Sequence, residues 1–530
     1  MKKLFISALC LATFWSCANS EDTPPQAEAG NVYMQFSVKM ETTRSATDGE
    51  GDTNSDASPD FEVGLEKENT ITKVDVVLAN ETDYVVATVT GDKLEGATGI
   101  ANTYIASFDS KALKAGTKYD VYIYANSTAP NPKNLDATSN AAVGDITEDN
   151  NFWMTNAYEA NEVTLPTDMS AHTQPNTPFN LGAHYVERSM ARFDFMPKNN
   201  NMYNVGAATI TLTQAALINQ SKEFYLLRRV SDDGTNTNWS IGGVETPNNF
   251  VVDTDYTAKA NGYANADNFD AHMTDPTTWT WKSIAVADLT QKDNWEGTDD
   301  GKSGSSSADH LLNEYYVWQY AKENTIPSAD AQDKGITTGV VFKGEITGDA
   351  VNNANGEMIF AFENELYGNW AAVKAATEGQ DNPETADVNE APSATLVTAY
   401  NKVEAGLKAL SENATDVDKA KVYANAGFTG YSPEDGKYYA YYYYWNRHND
   451  NGDNTEMGPM EFAVVRNNVY KLCVDKIAKL GHPYNPDPDN PVNPDPDPED
   501  PTDPDEELNY YFNVTVKVLP WVVRVNHIEF

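Results

Sequence analysis

The chain has 530 residues, of which 79 are acidic and 37 basic, giving a formal net charge of −42. That length exceeds what one small core absorbs, so two domains are expected. So acidic a surface repels phosphate backbones and anionic headgroups, which excludes nucleic acid as an expected partner. The only cysteines are Cys10, Cys17 and Cys473, so no disulfide framework is available and stability must come from packed sheets. Tyr, Thr, Val and Asn are plentiful, long apolar helical patterns are few, and Gly and Pro punctuate short alternating runs. This composition predicts an all-β, β-rich class with minor helices.

In chain order, Lys2 and Lys3 precede an apolar stretch from Leu4 to Trp15 that is too short to span a bilayer permanently. It ends at Ser16-Cys17, a small residue before a cysteine, as in a bacterial lipobox, although Phe14 and Trp15 are bulky for one. Cys17 is therefore the expected lipidation site and 1–17 the signal peptide; an ordinary secretory peptide cut nearby is the alternative. Residues 18–30 are polar and read as a tether. Val32, Met34, Phe36, Val38 and Met40 then alternate with Tyr33, Gln35, Ser37 and Lys39, the period of a strand with one buried face. A lone arginine, Arg44, follows and is joined to Ser45. If the Arg44–Ser45 bond is cut, 18–44 is a propeptide carrying a removable strand; the alternative is an ordinary first strand that stays. The acidic run from Ser45 to Asp60 has Asp48, Glu50, Asp52, Asn54 and Asp56, but Thr53 stands where a calcium loop needs glycine and no glutamate closes it. It reads as a solvated loop.

Strands are predicted over Thr72–Leu78, Tyr84–Val89, Thr103–Phe108 and Lys118–Asn126, with spacing that suits a β-sandwich. A long polar stretch runs to about Phe179. A fresh strand is predicted from His184 to Phe195, and the domain boundary is placed before it, giving domains 45–183 and 184–482. Ala208–Leu212, Gly339–Ile346, Tyr438–Tyr444 and Val465–Ile477 supply further strands. Leu396, Val397, Tyr400, Val403, Leu407 and Leu410 recur at helical spacing and predict a helix over 393–411 that covers a sheet face. The segment 483–507 repeats Asn-Pro and Asp-Pro without a basic residue. It cannot bury a core, and at about 3.1 Å per residue it extends over roughly 70 Å. Beyond it, in 508–530, Phe512, Val514, Val516 and Val518 alternate with polar residues, and the pattern resumes at Trp521, Val523 and Val525. This is a strand on a long leash. It pairs either within its own chain or, as the linker suggests for its last part, with a neighbour.

The chemistry-bearing residue types give little else. Seven histidines are scattered without metal-ligand spacing, and His448 beside Asp450 and Asp453 reads as a polar hairpin tip. No nucleophile elbow, Walker loop, dinucleotide fingerprint or Cys-His pairing occurs, so neither enzyme activity nor a cofactor is expected. A second class of function is a monomeric, surface-exposed glycan-binding lipoprotein that stacks sugars on Trp239, Trp279, Trp281, Trp295 and the Tyr438–Tyr444 run, although aromatics in strands more often pack in cores.

Four blocks, Arg188-x-x-Ala191-Arg192, Tyr316-Val317 with Glu323-Asn324, Thr337-Thr338-Gly339-Val340-Val341 and Gly458 through Tyr470 with its Val-Val-Arg-Asn-Asn-Val-Tyr core, resemble the Bacteroidetes fimbrilin family. So does the ending Val514 through Trp521, and the likeness is strongest to Mfa-type major fimbrial subunits, the type V pilins. Ser20-Glu21-Asp22 is similar to the acidic export signal of surface lipoproteins of that group. The Asp-Pro insertion is longer than the family pattern. The resemblance implies two tandem transthyretin-like β-sandwich domains, an outer-membrane lipoprotein precursor, and cleavage at Arg44-Ser45 by an arginine-specific protease. It further implies replacement of the lost strand by the tail of a neighbour. The partners so implied are other copies in a head-to-tail filament, accessory tip and anchor subunits, and host or bacterial surface receptors. The intact tail favours a shaft subunit in a surface fimbria that supports adhesion.

Overall fold

A computed structural model of the chain describes residues 30–40, 64–94, 102–130, 137–231, 239–242, 250–254, 269–270, 280–289, 315–325, 338–363, 365–378, 392–448, 460–483 and 512–520. The first sheet is built from β1 (Asn31–Met40), β2 (Ile71–Ala79), β3 (Tyr84–Leu94), β4 (Asn102–Asp109), β5 (Lys118–Ala125), β6 (Met154–Asn156), β7 (Asn161–Thr164) and β8 (Phe179–Arg188). Their order is β3-β2-β5-β6-β8-β1-β4, with β7 also on β5. β3 and β4, at the two ends of this path, come back into contact. The inward rows of β1, β2, β4, β5 and β8 therefore share one apolar cluster, with Val74, Val76, Val121, Ile123 and Phe108 fully buried in it. Alternating β-branched and aromatic residues favour such pleated, half-buried strands. β6 and β7 lie inside the stretch expected to be polar loop; they are too short to show periodicity.

The second assembly uses β9 (Ala191–Met196), β10 (Met202–Val205), β11 (Ala208–Ile218), β12 (Tyr316–Ala321) and β13 (Gly339–Gly348). A small sheet of β14 (Ile359–Phe362), β15 (Glu365–Tyr367) and β16 (Phe428–Tyr431) follows, and then come β17 (Tyr438–Trp445), β18 (Asn468–Ile477) and β19 (Phe512–Pro520). One sheet runs β12-β9-β18-β19 and the other β10-β11-β13-β17. Phe193, Phe195, Tyr470 and Leu472 of the first and Ile210, Leu212, Phe342 and Tyr442 of the second belong to a single cluster, the arrangement of a β-sandwich. The predicted helix is α1 (Ala394–Ala409), N-capped by Ser393. Its buried Leu396, Ala399 and Val403 cover Phe360, Phe362 and Phe428 of the small sheet.

The stretch predicted as one strand, His184–Phe195, is two strands in two sheets. β8 carries the chain through the boundary expected before His184, and the crossing falls at Ser189-Met190. Every residue from Val186 to Phe195 is buried, because the chain passes from one core directly into the next. Continuous burial erases the period-two signal that would have marked the break.

The crossing is packed with charge. Arg192 donates to both oxygens of Asp194 at 2.9 and 3.0 Å and to Glu68 at 2.8 Å. Glu68 sits on the one-turn helix Glu66–Asn69 and also accepts from the Tyr320 hydroxyl at 2.6 Å. Arg188 donates to the Glu68 carbonyl and to the Asn467 amide oxygen. Arg228 pairs with Glu187 at 3.1 Å, and Arg466 with Glu323 at 2.5 Å and with the carbonyl of Leu226 at 3.0 Å. Arg192, Arg228 and Arg466 are among the largest fully buried side chains, and charges at such depth persist only when paired and hydrogen-bonded. Arg192→Ala would strand Glu68 and Asp194 without their cation. We expect a loss of about 3–5 kcal/mol, read as a lower denaturation midpoint in urea, with Arg192→Lys recovering part of it. A midpoint unchanged by Arg192→Ala would contradict this account of the crossing.

Candidate assembly interface

β1 is an interior strand. It runs antiparallel to β4, from Asn31↔Asp109 to Val38↔Asn102, and parallel to β8, from Met34↔Phe179 to Met40↔Val186. Hydroxyl and amide side chains stitch the β4 side as well: Asn31 donates to Ser107 at 2.9 Å, and Ser37 and Thr103 are 3.0 Å apart. On the β8 side the register slips between Gln35 and Phe36, so that Leu181 is the extra residue opposite them. Gly182 adopts φ +94° there, with open space around the position of a Cβ. The backbone conformation, not crowding, therefore calls for glycine at this bulge.

The inward row of β1 is as predicted: Val32, Met34, Phe36 and Val38 are buried in the first core, and Phe36 lies 5.5 Å from the Tyr104 ring of β4. The outward row differs from the expected polar face. Tyr33 is also buried, and the short turn Ser170–His172 lies against the strand. Met40 ends β1, and its side chain lies outside the described residues, as do Cys17, Arg44 and Ser45.

Beside Val38 in the parallel register stands His184. It is 2% exposed, its ring is hydrogen-bonded to the Leu181 backbone, and Nε2 has no partner. Burial pushes its pKa down to about 4, so the ring is neutral at ordinary pH. Sequence reading missed it as a site residue, because a single histidine in an apolar run carries no spacing signal.

At the other end of the chain, β19 pairs antiparallel with β18 of the same chain, from Asn468↔Pro520 to Ile477↔Phe512. Val514, Val516 and Val518 occupy the register positions opposite Val474, Leu472 and Tyr470, which are all buried in the second core. In the single chain these three positions thus complete their own sheet instead of being held out to a neighbour, because β18 offers a matching edge at high local concentration. Trp521, Val523 and Val525 lie outside the described residues.

The residues weighed for other chemistry scatter. Trp281 packs against Tyr441, and Arg229 lies between the Tyr225 and Trp239 rings, while Trp279 and Trp295 lie outside the described residues. Tyr438, Tyr441 and Tyr442 are buried, so the tyrosine run forms no continuous platform. His448, expected at a polar hairpin tip, is buried with Nδ1 2.9 Å from the Tyr470 hydroxyl; Asp450 and Asp453 lie outside the described residues. Among the described residues no group of three His, Cys, Asp or Glu side chains is placed to hold a metal ion. The thiol of Cys473 is buried and pushed up to about 12, which makes it inert as a nucleophile.

Two family models match the chain. One, described as major fimbrial subunit protein (FimA), covers residues 33–214, and the other, major fimbrial subunit protein type IV, fimbrillin, C-terminal, covers 436–527. Among solved structures, a fimbrilin from Porphyromonas gingivalis W83 is similar at 14% identity and a TM-score of 0.37, with 93% of this chain and 98% of that one covered. The tip fimbrial protein Mfa3 of Porphyromonas gingivalis, truncated at its C-terminus, is similar at 9% identity and a TM-score of 0.33, with 84% and 95% covered. No curated protein matches the chain.

Phe36→Ala removes the largest inward side chain of β1 from a filled core. The expected cost is about 3–5 kcal/mol, and amide hydrogen exchange followed by mass spectrometry should show faster exchange in 31–40 than in β18. Equal acceleration of both strands would show that β1 has no opening of its own.

Proposed function

The chain belongs to the fimbrilin family of fimbrial structural subunits, and we propose that it is an Mfa-type shaft subunit of a cell-surface fimbria, polymerised by donor-strand exchange. In this reading it is exported as a lipoprotein acylated on Cys17, held at the outer membrane as a precursor, and cut between Arg44 and Ser45 by an arginine-specific protease. The first strand then leaves, and the tail of the next copy takes its place. The two apolar clusters correspond to two tandem transthyretin-like sandwich domains, the first carrying the groove and the second the tail.

The observation that supports this reading most is the placement of β1. It is paired on both sides and buried, yet it precedes Arg44, the one basic residue between Lys39 and Lys67. One cut there separates an integral strand from the fold it completes. The vacated slot leaves unpaired backbone on β8 and β4 together with four empty side-chain positions, and a donated strand satisfies both. Those positions hold Val32, Met34, Phe36 and Val38, at roughly 1.5–3 kcal/mol of gross stabilisation each, less the cost of ordering the donor. With 512–520 paired in its own chain, the segment assigned to the neighbour begins beyond Pro520 and carries Trp521, Val523 and Val525 at alternating positions. Donor and acceptor surfaces differ, so the contact is head-to-tail and propagates instead of closing into a dimer. Tip and anchor subunits cap the filament, and its exposed faces meet host or bacterial receptors.

Two variants test the two ends separately. Arg44→Ala should give a folded precursor at the surface that forms no fibres by electron microscopy. A chain truncated after Pro520 should be processed normally and remain monomeric. Fibres of ordinary length from Arg44→Ala would sink the cleavage step, and SDS-resistant ladders from the truncated chain would sink the exchange step.

A further inference from the structure

The donor-strand reading says what fills the groove; the floor of the groove adds a condition on when it is filled. We propose that His184 makes occupancy of the first-strand groove proton-linked, so that mild acid favours the vacant groove and neutral pH favours the filled one. The inference rests on that reading, and it reaches the regulation of the same site.

The geometry comes first. His184 is the residue beside Val38 in the parallel ladder between β8 and β1. It is buried as deeply as its apolar neighbours Leu181 and Val186 on the same strand. One ring nitrogen is committed to the Leu181 backbone, and the other, Nε2, is buried without a partner. An imidazolium in that position would leave a charged N–H facing hydrocarbon. While β1 is in place the ring must therefore stay neutral. Removing β1 removes the strand that walls His184 on one side and opens the ring to water, where it can take up a proton.

Nearby charges do not compensate the ring. On β8, Glu187 is paired with Arg228 and Arg188 is held by Glu68 and Asn467, while Tyr185 is exposed on the opposite face. On β1, Lys39 lies beside Tyr185 in the register, and β4 brings Asn102 opposite Val38. On the far side, Glu162 of β7 pairs with Lys118 of β5, β6 brings Asn156, and the Asp120 carboxyl of β5 is itself pushed up by burial. The histidine shift comes from burial, opposed by the Leu181 hydrogen bond.

The direction follows from linkage. With the groove filled, the ring titrates near 4; with the groove open, it returns toward the ordinary value of about 6.5. The vacant state therefore binds the extra proton, and the filled state loses its advantage as pH falls from about 6.5 to about 4. At pH 5 this corresponds to vacancy favoured about 30-fold relative to pH 7.5. A donated strand that fills the same slot meets the same condition.

The test uses the full-length chain and reads the protection of the 31–40 amides by hydrogen exchange between pH 7.5 and 5. His184→Phe and His184→Leu serve as comparisons, so that the intrinsic chemistry of exchange cancels between proteins. Protection of these amides in the unaltered chain should fall about 30-fold more than in either variant, with β18 unaffected. The second variant guards against one that fails to fold. A parallel fall in all three proteins would overturn the role of His184 while leaving strand exchange standing. Exchange of 31–40 only through global unfolding, at every pH, would likewise overturn the proton link, since the slot would then have no vacant state to protonate, while strand exchange after cleavage stays tested by the Arg44→Ala and truncation variants.

Discussion

A strand held by neighbours on both edges cannot be dropped, only replaced. That constraint organises the first half of this chain. β1 joins β8 to β4, so without it the sheet does not shorten by one member; it splits, and two rows of backbone donors and acceptors lose their partners at once. An edge strand would leave one such row, which water satisfies at modest cost, and the core beneath would stay roofed. Here the core loses its cover too, because Val32, Met34, Phe36 and Val38 all point into it. On the proposed reading the groove would be a demanding vacancy, and the demand would be met by backbone pairing, which any strand supplies, together with pocket filling, which only the right alternation supplies. Affinity and selectivity come from different atoms of the same ladder.

The second constraint is the buried charge at the crossing from β8 to β9. β8 borders the groove, β9 pairs with β18, and β18 carries β19 on its other edge. The two ends of the proposed filament contact are thus joined through a short run of continuous backbone and one parallel ladder. Arg188 and Arg192 tie that run to Glu68, and Arg228 pairs with its Glu187, so each contact joins it to an element distant or separate in sequence. Buried pairs of this kind stabilise little by themselves and punish misalignment heavily. In the proposed filament they would hold the two cores in one arrangement from link to link.

Much of this was legible in the residues. β2 to β5 of the first sheet, the helix over 394–409 and the inward row of β1 follow from periods of two and 3.6 and from β-branched and aromatic runs bounded by turn residues. What failed did so where burial is two-sided. The crossing at Ser189-Met190 was read as an uninterrupted strand, Tyr33 as solvated, and His448 as a hairpin tip, all because a residue covered from both sides gives no periodic trace. The buried ion pairs were visible in another form. Arg188, Arg192, Glu323, Arg466 and Asn467 are charged or amide members of the blocks that carried the family resemblance; Arg188 bonds Asn467, Arg466 bonds Glu323, and Arg192 bonds Glu68 and Asp194. A charged residue inside an apolar run, as in Ala191-Arg192-Phe193-Asp194-Phe195, was the signal. Its partner Glu68, more than a hundred residues away, could not be found from spacing.

Charge also decides what kind of contact copies of this chain can make with each other. At −42 each, two copies repel, and at physiological salt that repulsion fades over about 8 Å. An association built on complementary surface charge would have little to work with in so one-sided a composition. Strand insertion works inside the screening distance: its stabilisation comes from backbone hydrogen bonds and buried methyl and aromatic groups, which are indifferent to net charge. In the proposed filament the repulsion would favour the head-to-tail arrangement over lateral clumping, since consecutive copies would touch at one end only. For the proposed filament, a strongly acidic body and an apolar, alternating tail would let copies join along one axis while staying dispersed in the others.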